Sequence, residues 1–240
     1  MTLHLRAYDH GRTETFRAIS ARVWKLCKAL AELEPALASW RGKVGDNLDP
    51  VDSERACEAL VASSARMWRM GDRELVAYGP VLTAEHEGRT TARLSVVAGV
   101  APLELPVWVP NQLELQLLGG LEAQLRADRP RLEAVFRALV AVNAPAWAVV
   151  AVDGSPVAPV PPFADGTPTV GWMTFLASRY PAPPRTLPKP AVLHDLGIGT
   201  AIIAHPSKPD AAAIGEVLRA LAEANVLVPA ASVAGPSATA

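Results

Sequence analysis

The chain has 240 residues, of which 50% are hydrophobic and 20% are charged, and its formal net charge is −1. This composition supports a buried core and excludes general disorder, and the near-neutral charge argues against the basic surface that direct nucleic-acid binding requires. Because no signal peptide is visible and no apolar stretch approaches the ~20 residues that cross a bilayer, we expect a cytoplasmic protein without a membrane partner.

Hydrophobic periodicity predicts a strand and then a long helix at the start of the chain. Residues 2–8 alternate between apolar and polar side chains, as a strand with one buried face does. Apolar residues then recur at three- and four-residue spacing over residues 16–33. This pattern predicts an amphipathic helix, with Thr13 as its N-cap and Pro35 as its end.

The middle of the chain is predicted to be rich in antiparallel strands. Residues 41–52 are polar and predict a loop, after which Ser53 caps a second helix that ends near Ser64. Glu87-Gly88 offers a hairpin turn between two of the strands. The predicted strands are residues 74–78, 81–87, 89–100 and 111–118. In the last of these the leucines alternate with polar residues, which indicates one wet face.

The C-terminal half adds two helices and two buried strands. Asp128 precedes a third helix, and Asp210 precedes the last one. Residues 146–152 are apolar throughout, which is typical of a central strand covered on both sides. Residues 196–204 predict a further buried strand.

These elements predict an α+β fold in which a mostly antiparallel sheet packs with three to four helices. Residues 1–228 are expected to form a single domain, because the piece after the proline-rich region has too few strands for a core of its own. Residues 229–240 are small residues and prolines, and we expect them to form a disordered tail.

The sequence offers no recognisable catalytic, metal or cofactor site. None of the five histidines lies three or four residues from another, so the spacing of a metal site is missing. The chain has no Gly-x-Ser-x-Gly elbow, no phosphate-binding loop and no complete dinucleotide motif. We therefore expect a binding protein rather than an enzyme, with no cofactor.

The most distinctive stretch is residues 170–180, which lies between two proline-rich segments, residues 155–168 and 181–190. Proline prevents this apolar element from continuing into a helix. Extended proline-rich segments also lose little conformational entropy on docking, so they suit a partner-binding surface. The candidate contact residues are Asp153, Asp165, Trp172, Arg179 and Tyr180.

A second candidate is the acidic segment that contains Asp46, Asp49 and Asp52. Carboxylates at this spacing could imitate phosphates toward a basic partner. The competing interpretation is an ordinary solvated surface, which is the usual role of a run of charges.

The string Gly171-Trp172-Met173-Thr174, which follows Asp165-Gly166-Thr167-Pro168, resembles a stretch of the immunity protein 52 family of bacterial toxin-immunity proteins. The order of predicted elements is similar over most of the chain. The resemblance implies a non-enzymatic protein that binds and neutralises a cognate toxin. In this family the toxin is often a restriction-endonuclease-like nuclease delivered by a type VI secretion system.

The near-neutral charge departs from what this resemblance implies, because an inhibitor of a DNA-binding surface is usually acidic. Either the acids cluster locally, or inhibition blocks assembly or movement of the toxin. Two other functions stay open: a small-molecule enzyme with a pocket beneath the proline-rich segments that uses His194 or Asp195, and an adaptor of a secretion apparatus. A homodimer also stays open.

Overall fold

The computed structural model describes residues 2–9, 14–44, 47–70, 73–99, 111–152 and 167–233. The helices are α1 (Phe16–Leu33), α2 (Glu54–Ser63), α3 (Gly119–Ala127), α4 (Arg129–Asn143), α5 (Ala211–Glu223) and the short α6 (Ala230–Val233). The strands are β1 (Leu3–Asp9), β2 (Trp40–Val44), β3 (Asn47–Pro50), β4 (Ala65–Met70), β5 (Arg73–Tyr78), β6 (Val81–His86), β7 (Arg89–Val97), β8 (Asn111–Leu117), β9 (Trp147–Val152), β10 (Met173–Ala177), β11 (Val192–Asp195) and β12 (Gly199–Ile203).

Ten of the described strands form one antiparallel sheet in the order β11-β12-β10-β9-β1-β8-β7-β6-β2-β3. The strands β4 and β5 pair separately as a two-stranded ribbon. The predicted α+β fold with an antiparallel sheet is therefore confirmed, although the described residues contain five helices of nine residues or more against the three to four expected. Strands from both halves of the chain contribute to the one sheet.

Side-chain caps set the starts of four helices. Ser53, Asp128 and Asp210 each accept a hydrogen bond from a backbone N–H of the first turn of α2, α4 and α5, as the sequence predicted. The cap of α1 is Thr15, whose hydroxyl accepts from the Ala18 amide. The predicted cap, Thr13, lies outside the described residues, and the helix begins too late for Thr13 to occupy the cap position.

Some elements differ from the prediction in ways that have a physical cause. The segment predicted as a loop, residues 41–52, contains β2 and β3, which pair as a hairpin at the sheet edge. All four residues of β3 are exposed, so no buried face produced an alternating pattern in the sequence. Of the predicted disordered tail, residues 230–233 form the short α6, and residues 234–240 lie outside the described part.

One face of the sheet is covered by helices. Helix α4 packs against β1 and α1. Leu3, Leu5 and Ala7 of β1 are buried. The strand register puts them on the same face of the sheet as His194 of β11, and His194 contacts α4. Successive side chains of a strand point to opposite faces, so the polar residues of β1 and β8 lie on the face away from α4. This confirms the alternation predicted for both strands.

Close packing and a hydrogen bond explain the residue types in the Gly171-Trp172-Met173-Thr174 string. A Cβ atom on Gly171 would lie 2.3 Å from the carbonyl oxygen of Val150, so only glycine allows this approach to β9. The Gly171 amide donates a 3.0 Å hydrogen bond to the Thr174 hydroxyl, which is fully buried. Met173 is also buried, so the whole string belongs to the core beside β9.

Replacing Gly171 with alanine should lower the free energy of unfolding by about 2–4 kcal/mol, because the added methyl group must displace the backbone of β9. The matched control is Gly215→Ala in α5, where a Cβ meets no atom within 4 Å. Alanine should stabilise that helix by about 0.5–1 kcal/mol. Urea denaturation of both variants measures the difference, and equal effects at the two sites would contradict the close-packing explanation.

Candidate partner-binding surfaces

Trp172 lies in the core, immediately before β10. Its side chain is fully buried, and its indole N–H donates a 2.8 Å hydrogen bond to the carbonyl oxygen of His205. Since the indole has only this one donor, its polar group is already satisfied within the fold. In this conformation Trp172 contributes packing and presents no surface to a second protein.

Arg179 and Tyr180 begin the arm, which we define as residues 178–191 between β10 and β11. The Arg179 guanidinium lies 3.0 Å from the Asp9 carboxylate at the end of β1, and 36% of its side chain is exposed. Tyr180 is only 4% exposed, and burial raises the pKa of its hydroxyl above the usual range. Arg179 therefore reaches solvent, whereas Tyr180 anchors the arm.

The acidic candidates lie at the opposite end of the sheet. Asp49 in β3 and Asp52 just after it are exposed, and Asp46 lies outside the described residues. Basic residues also lie at this edge: Arg41 and Lys43 of β2 align with Pro50 and Leu48 of β3, whereas Asp49 aligns with Gly42. This edge is therefore mixed in charge. Asp153 and Asp165 of the other candidate group also lie outside the described residues.

The fold separates the two candidate groups. Strand β10 is third in the sheet and β3 is tenth, so seven strand spacings of about 4.8 Å place them roughly 34 Å apart. A standard interface covers roughly 800 Å² per partner, which corresponds to a patch of about the same width. The Arg179 guanidinium contacts Asp9 of β1, five strand spacings or about 24 Å from β3, so Asp49 and Arg179 lie at separate positions along the sheet.

A charged cluster that sequence reasoning missed lies on the sheet face away from α4. Glu114 of β8 accepts hydrogen bonds from His4 Nδ1 at 2.9 Å and from Arg6 Nε at 2.7 Å, both on β1. The hydrogen bond from His4, followed by the bond and charge of Arg6, lowers the pKa of Glu114 to about 2 against the opposing effect of burial. Glu114 and Arg6 thus form an ion pair across the two strands, and His4 adds a hydrogen bond to the same carboxylate.

The polar face extends from this cluster across β8 and β7. The register aligns Arg93 with Gln116 and His4 in one row, and Ser95 with Glu114 and Arg6 in the next. Arg93 is exposed, and the other five side chains are half-buried. The strand alternation predicted that these side chains share the wet faces, but only the register shows which of them meet.

A groove lies beneath the arm at the β11 end of the sheet. Its volume is about 590 Å³, and it is lined by Leu176, Ala177, Ser178, Tyr180, Pro181, Ala182, Pro183, Leu193, Asp195, Gly197, Gly199 and Thr200. The pocket that the enzyme alternative required beneath the proline-rich segment is thus present. Among the described residues of its lining, Asp195 is the one acidic or basic side chain, and its Oδ1 accepts a 2.8 Å hydrogen bond from the Gly197 amide.

His194 and Asp195 do not form one catalytic pair. They are neighbours on β11, so their side chains point to opposite faces of the sheet. His194 Nδ1 lies 2.9 Å from Arg137 and 3.4 Å from Glu133 of α4, on the helix-covered face. Asp195 lines the groove on the other face, where the second titratable group is the Tyr180 hydroxyl with its raised pKa.

The described part of the chain holds neither a metal-binding cluster nor a membrane-spanning helix. No group of three or more histidine, cysteine or acidic side chains there could hold a metal ion. No helix among the described residues combines the length and apolar character that a membrane crossing requires. Cys27 and Cys57 are both buried free thiols, and burial raises the pKa of each.

Comparison with known proteins gives one family and one fold. A family model described as Immunity protein 52 matches residues 2–229. No curated protein matches the chain significantly. Among solved structures, the Pseudomonas aeruginosa T6SS protein PA0821 is similar, with a TM-score of 0.52 and 13% sequence identity over 92% of this chain and 72% of that chain. At this identity the likeness concerns the fold alone.

Replacing Glu114 with glutamine should lower the free energy of unfolding by about 2 kcal/mol at pH 7, because the ion pair with Arg6 is lost and the carboxylate that accepts from His4 becomes neutral. The folded-state pKa lies below the unfolded one. The stabilisation is therefore present above about pH 4.5 and is lost as the pH falls toward about 2. Urea denaturation across this range should show that the difference in free energy of unfolding between the wild type and Glu114→Gln becomes smaller as the pH falls.

The control for this experiment is Glu87→Gln in the β6–β7 turn, where 85% of the glutamate side chain is exposed. Exposed ion pairs contribute little, so this variant should match the wild type at every pH. If Glu114→Gln also unfolds like the wild type at pH 7, the cluster does not stabilise the sheet.

Proposed function

The chain belongs to the immunity protein 52 family, and we propose that it binds and neutralises a cognate antibacterial toxin. The family match carries this proposal, because it spans residues 2–229 and so includes every strand of the ten-stranded sheet. A match to one segment would suggest a shared motif, whereas a match of this extent covers the scaffold and its surfaces together.

The geometry favours binding over catalysis. In the described residues no cluster suits a metal ion, and the groove beneath the arm contains a single ionised side chain, Asp195. General acid–base chemistry on a small substrate needs at least two placed groups or one group whose pKa is tuned toward neutrality. These observations support a protein that acts by occupying a surface of its partner.

The toxin is proposed to be a restriction-endonuclease-like nuclease effector of a type VI secretion system. Resemblance to the immunity family suggests the nuclease, and the fold neighbour described as a T6SS protein suggests the delivery system. The arm end carries Arg179 beside Asp9, and strand β2 beside the β3 edge carries Arg41 and Lys43, so imitation of DNA by a uniformly acidic surface is not favoured. Obstruction of the toxin by a mixed, partly apolar surface agrees better with a net charge of −1.

We place the toxin contact at the arm end of the sheet. A toxin present at low copy number must be held with nanomolar or tighter affinity, about −12 kcal/mol. The arm contains several prolines, is anchored by buried Tyr180 and Leu187, and presents the exposed part of Arg179. An anchored arm loses little entropy on binding, which favours such affinity. Asp153 and Asp165 precede the arm in the sequence and stay candidate contact residues.

The competing surface is the β3 edge with Asp49 and Asp52, and with Asp46 nearby in the sequence. It would be used if the toxin offered a basic DNA-binding surface to neutralise. Because the two surfaces lie at opposite ends of the sheet, separate substitutions can distinguish them.

Co-expression with the toxin domain from the adjacent reading frame tests the function itself. The chain should restore growth of cells that produce the toxin, and the purified proteins should elute together on a sizing column. Isothermal titration calorimetry should give a dissociation constant of about 1 nM or lower. Growth arrest despite abundant soluble chain, together with no complex on the column, would contradict the proposal.

Arg179→Gln and the double variant Asp49→Lys/Asp52→Lys test the contact surface. The first should weaken toxin binding by about tenfold or more, since a buried charge contact at an interface is lost. The second should leave binding within about twofold. Arg179→Gln also removes the Arg179–Asp9 ion pair, so the urea midpoint of each variant shows whether weaker binding comes from lower stability of the fold. The reverse ranking would move the contact to the β3 edge.

A further inference from the structure

The two edges of the ten-stranded sheet are protected differently. At one edge, β3 ends in Pro50, which lacks an amide donor, and all of its residues are exposed. At the other edge, β11 has no proline, and exposed apolar side chains lie at its start and after its end, Val192 at 37% and Ile198 at 44%. Exposed apolar edges invite pairing with another chain unless they are blocked.

The outward backbone groups of β11 can be identified from its pairing with β12. The Leu196 amide donates to the Gly199 carbonyl, and the register aligns Asp195 with Thr200. Because bonded positions alternate along an antiparallel pair, the amide and carbonyl groups of Leu193 and Asp195 point away from β12. Within the described part of the chain, no strand pairs with that side of β11.

The side chains of the same two residues line the groove beneath the arm. Leu193 and Asp195 share its wall with Tyr180 and Pro183. A segment lying along β11 could therefore form backbone hydrogen bonds at these positions and place side chains in the adjoining groove of about 590 Å³. This is the geometry of strand addition, in which the backbone provides affinity and the pockets provide specificity.

Charge indicates which side chain the groove would accept. Among the described residues that line the groove, Asp195 is the one acidic or basic residue, and no basic side chain of the described part of the chain forms an ion pair with its carboxylate. The Gly197 amide donates a hydrogen bond to Oδ1 of this carboxylate. A lysine or arginine of the incoming segment would complement this charge.

The edge is held in place before any partner arrives. His194, on the opposite face of β11, contacts Arg137 and Glu133 of α4. These contacts fix the strand against the helix layer and so reduce the ordering that binding would require.

We propose that β11 and the groove beneath the arm bind an extended, mainly apolar segment of the toxin that carries a lysine or arginine opposite Asp195. The segment adds an eleventh strand to the sheet. This inference rests on the proposed immunity function and names the site through which that function acts.

Backbone amide exchange in the complex provides the first test, with the toxin domain from the adjacent reading frame as the probe. The amides of Leu193 and Asp195 should exchange at least about tenfold more slowly in the complex than in the free protein. The Ala56 amide, which donates a hydrogen bond to the Ser53 hydroxyl at the start of α2, lies near the other end of the sheet and serves as an internal reference that should change little.

Variants of the full chain provide the second test. Asp195→Asn removes the charge but keeps the acceptor for Gly197, and should weaken toxin binding by about five- to tenfold. Leu193→Arg fills the groove and should weaken it by about tenfold or more. The matched control is Leu33→Arg at the end of α1, an exposed leucine far from the arm in the chain, which should bind like the wild type.

The outcomes separate this proposal from the function on which it rests. If the wild type fails to bind the toxin, both are overturned. If the wild type binds but both variants bind equally well and the two amides stay unprotected, the groove proposal fails and the immunity function stands. If sedimentation shows that the free protein is a dimer abolished by Leu193→Arg, a second copy occupies the edge and the toxin segment is excluded.

Discussion

The pairing of β1 with both β8 and β9 is the constraint on which the rest of the structure depends. Leu3 faces Leu117 on one side and Val152 on the other, so the first strand of the chain joins segments that are distant in sequence. Stacking of Tyr8 on Trp147, with ring centroids 3.9 Å apart, reinforces the same junction. Without β1 the sheet would divide into two open halves. With it, the arm end and the β3 edge keep a fixed separation, so each can serve as an independent binding surface on one rigid scaffold.

Elements with one buried face could be predicted from sequence, and elements without one could not. The leucines of β8 alternate with polar residues because one face meets the core, and this pattern located the strand within one residue of its observed end. In β3 both faces are exposed, so the same reasoning found only a polar loop. Helix α3 begins with Gly119-Gly120, which are poor helix formers, and its formation depends on burial of Leu121 and Leu125 rather than on propensity.

The candidate surfaces show the same limit more sharply. The sequence placed His4 and Glu114 on wet strand faces, but their contact depends on a register between strands far apart in the chain. Trp172 shows the converse limit: a tryptophan beside prolines suggests an interface anchor, and only the structure shows that its side chain is buried. The string that resembles the family is constrained by the close packing of Gly171 on Val150. It is therefore a feature of the core and does not locate the contact surface.

Edge pairing and charge imitation would give an inhibitor different kinetic properties. An acidic imitation of DNA gains its affinity from long-range attraction, which accelerates association and weakens as salt screens it. Backbone pairing at β11, with apolar contacts in the groove, acts only at short range and so affects mainly dissociation. Slow dissociation is what keeps an inhibited partner inactive, because its activity returns when it escapes from the complex. A nearly neutral chain with an unblocked apolar edge is therefore suited to slow dissociation rather than to rapid capture.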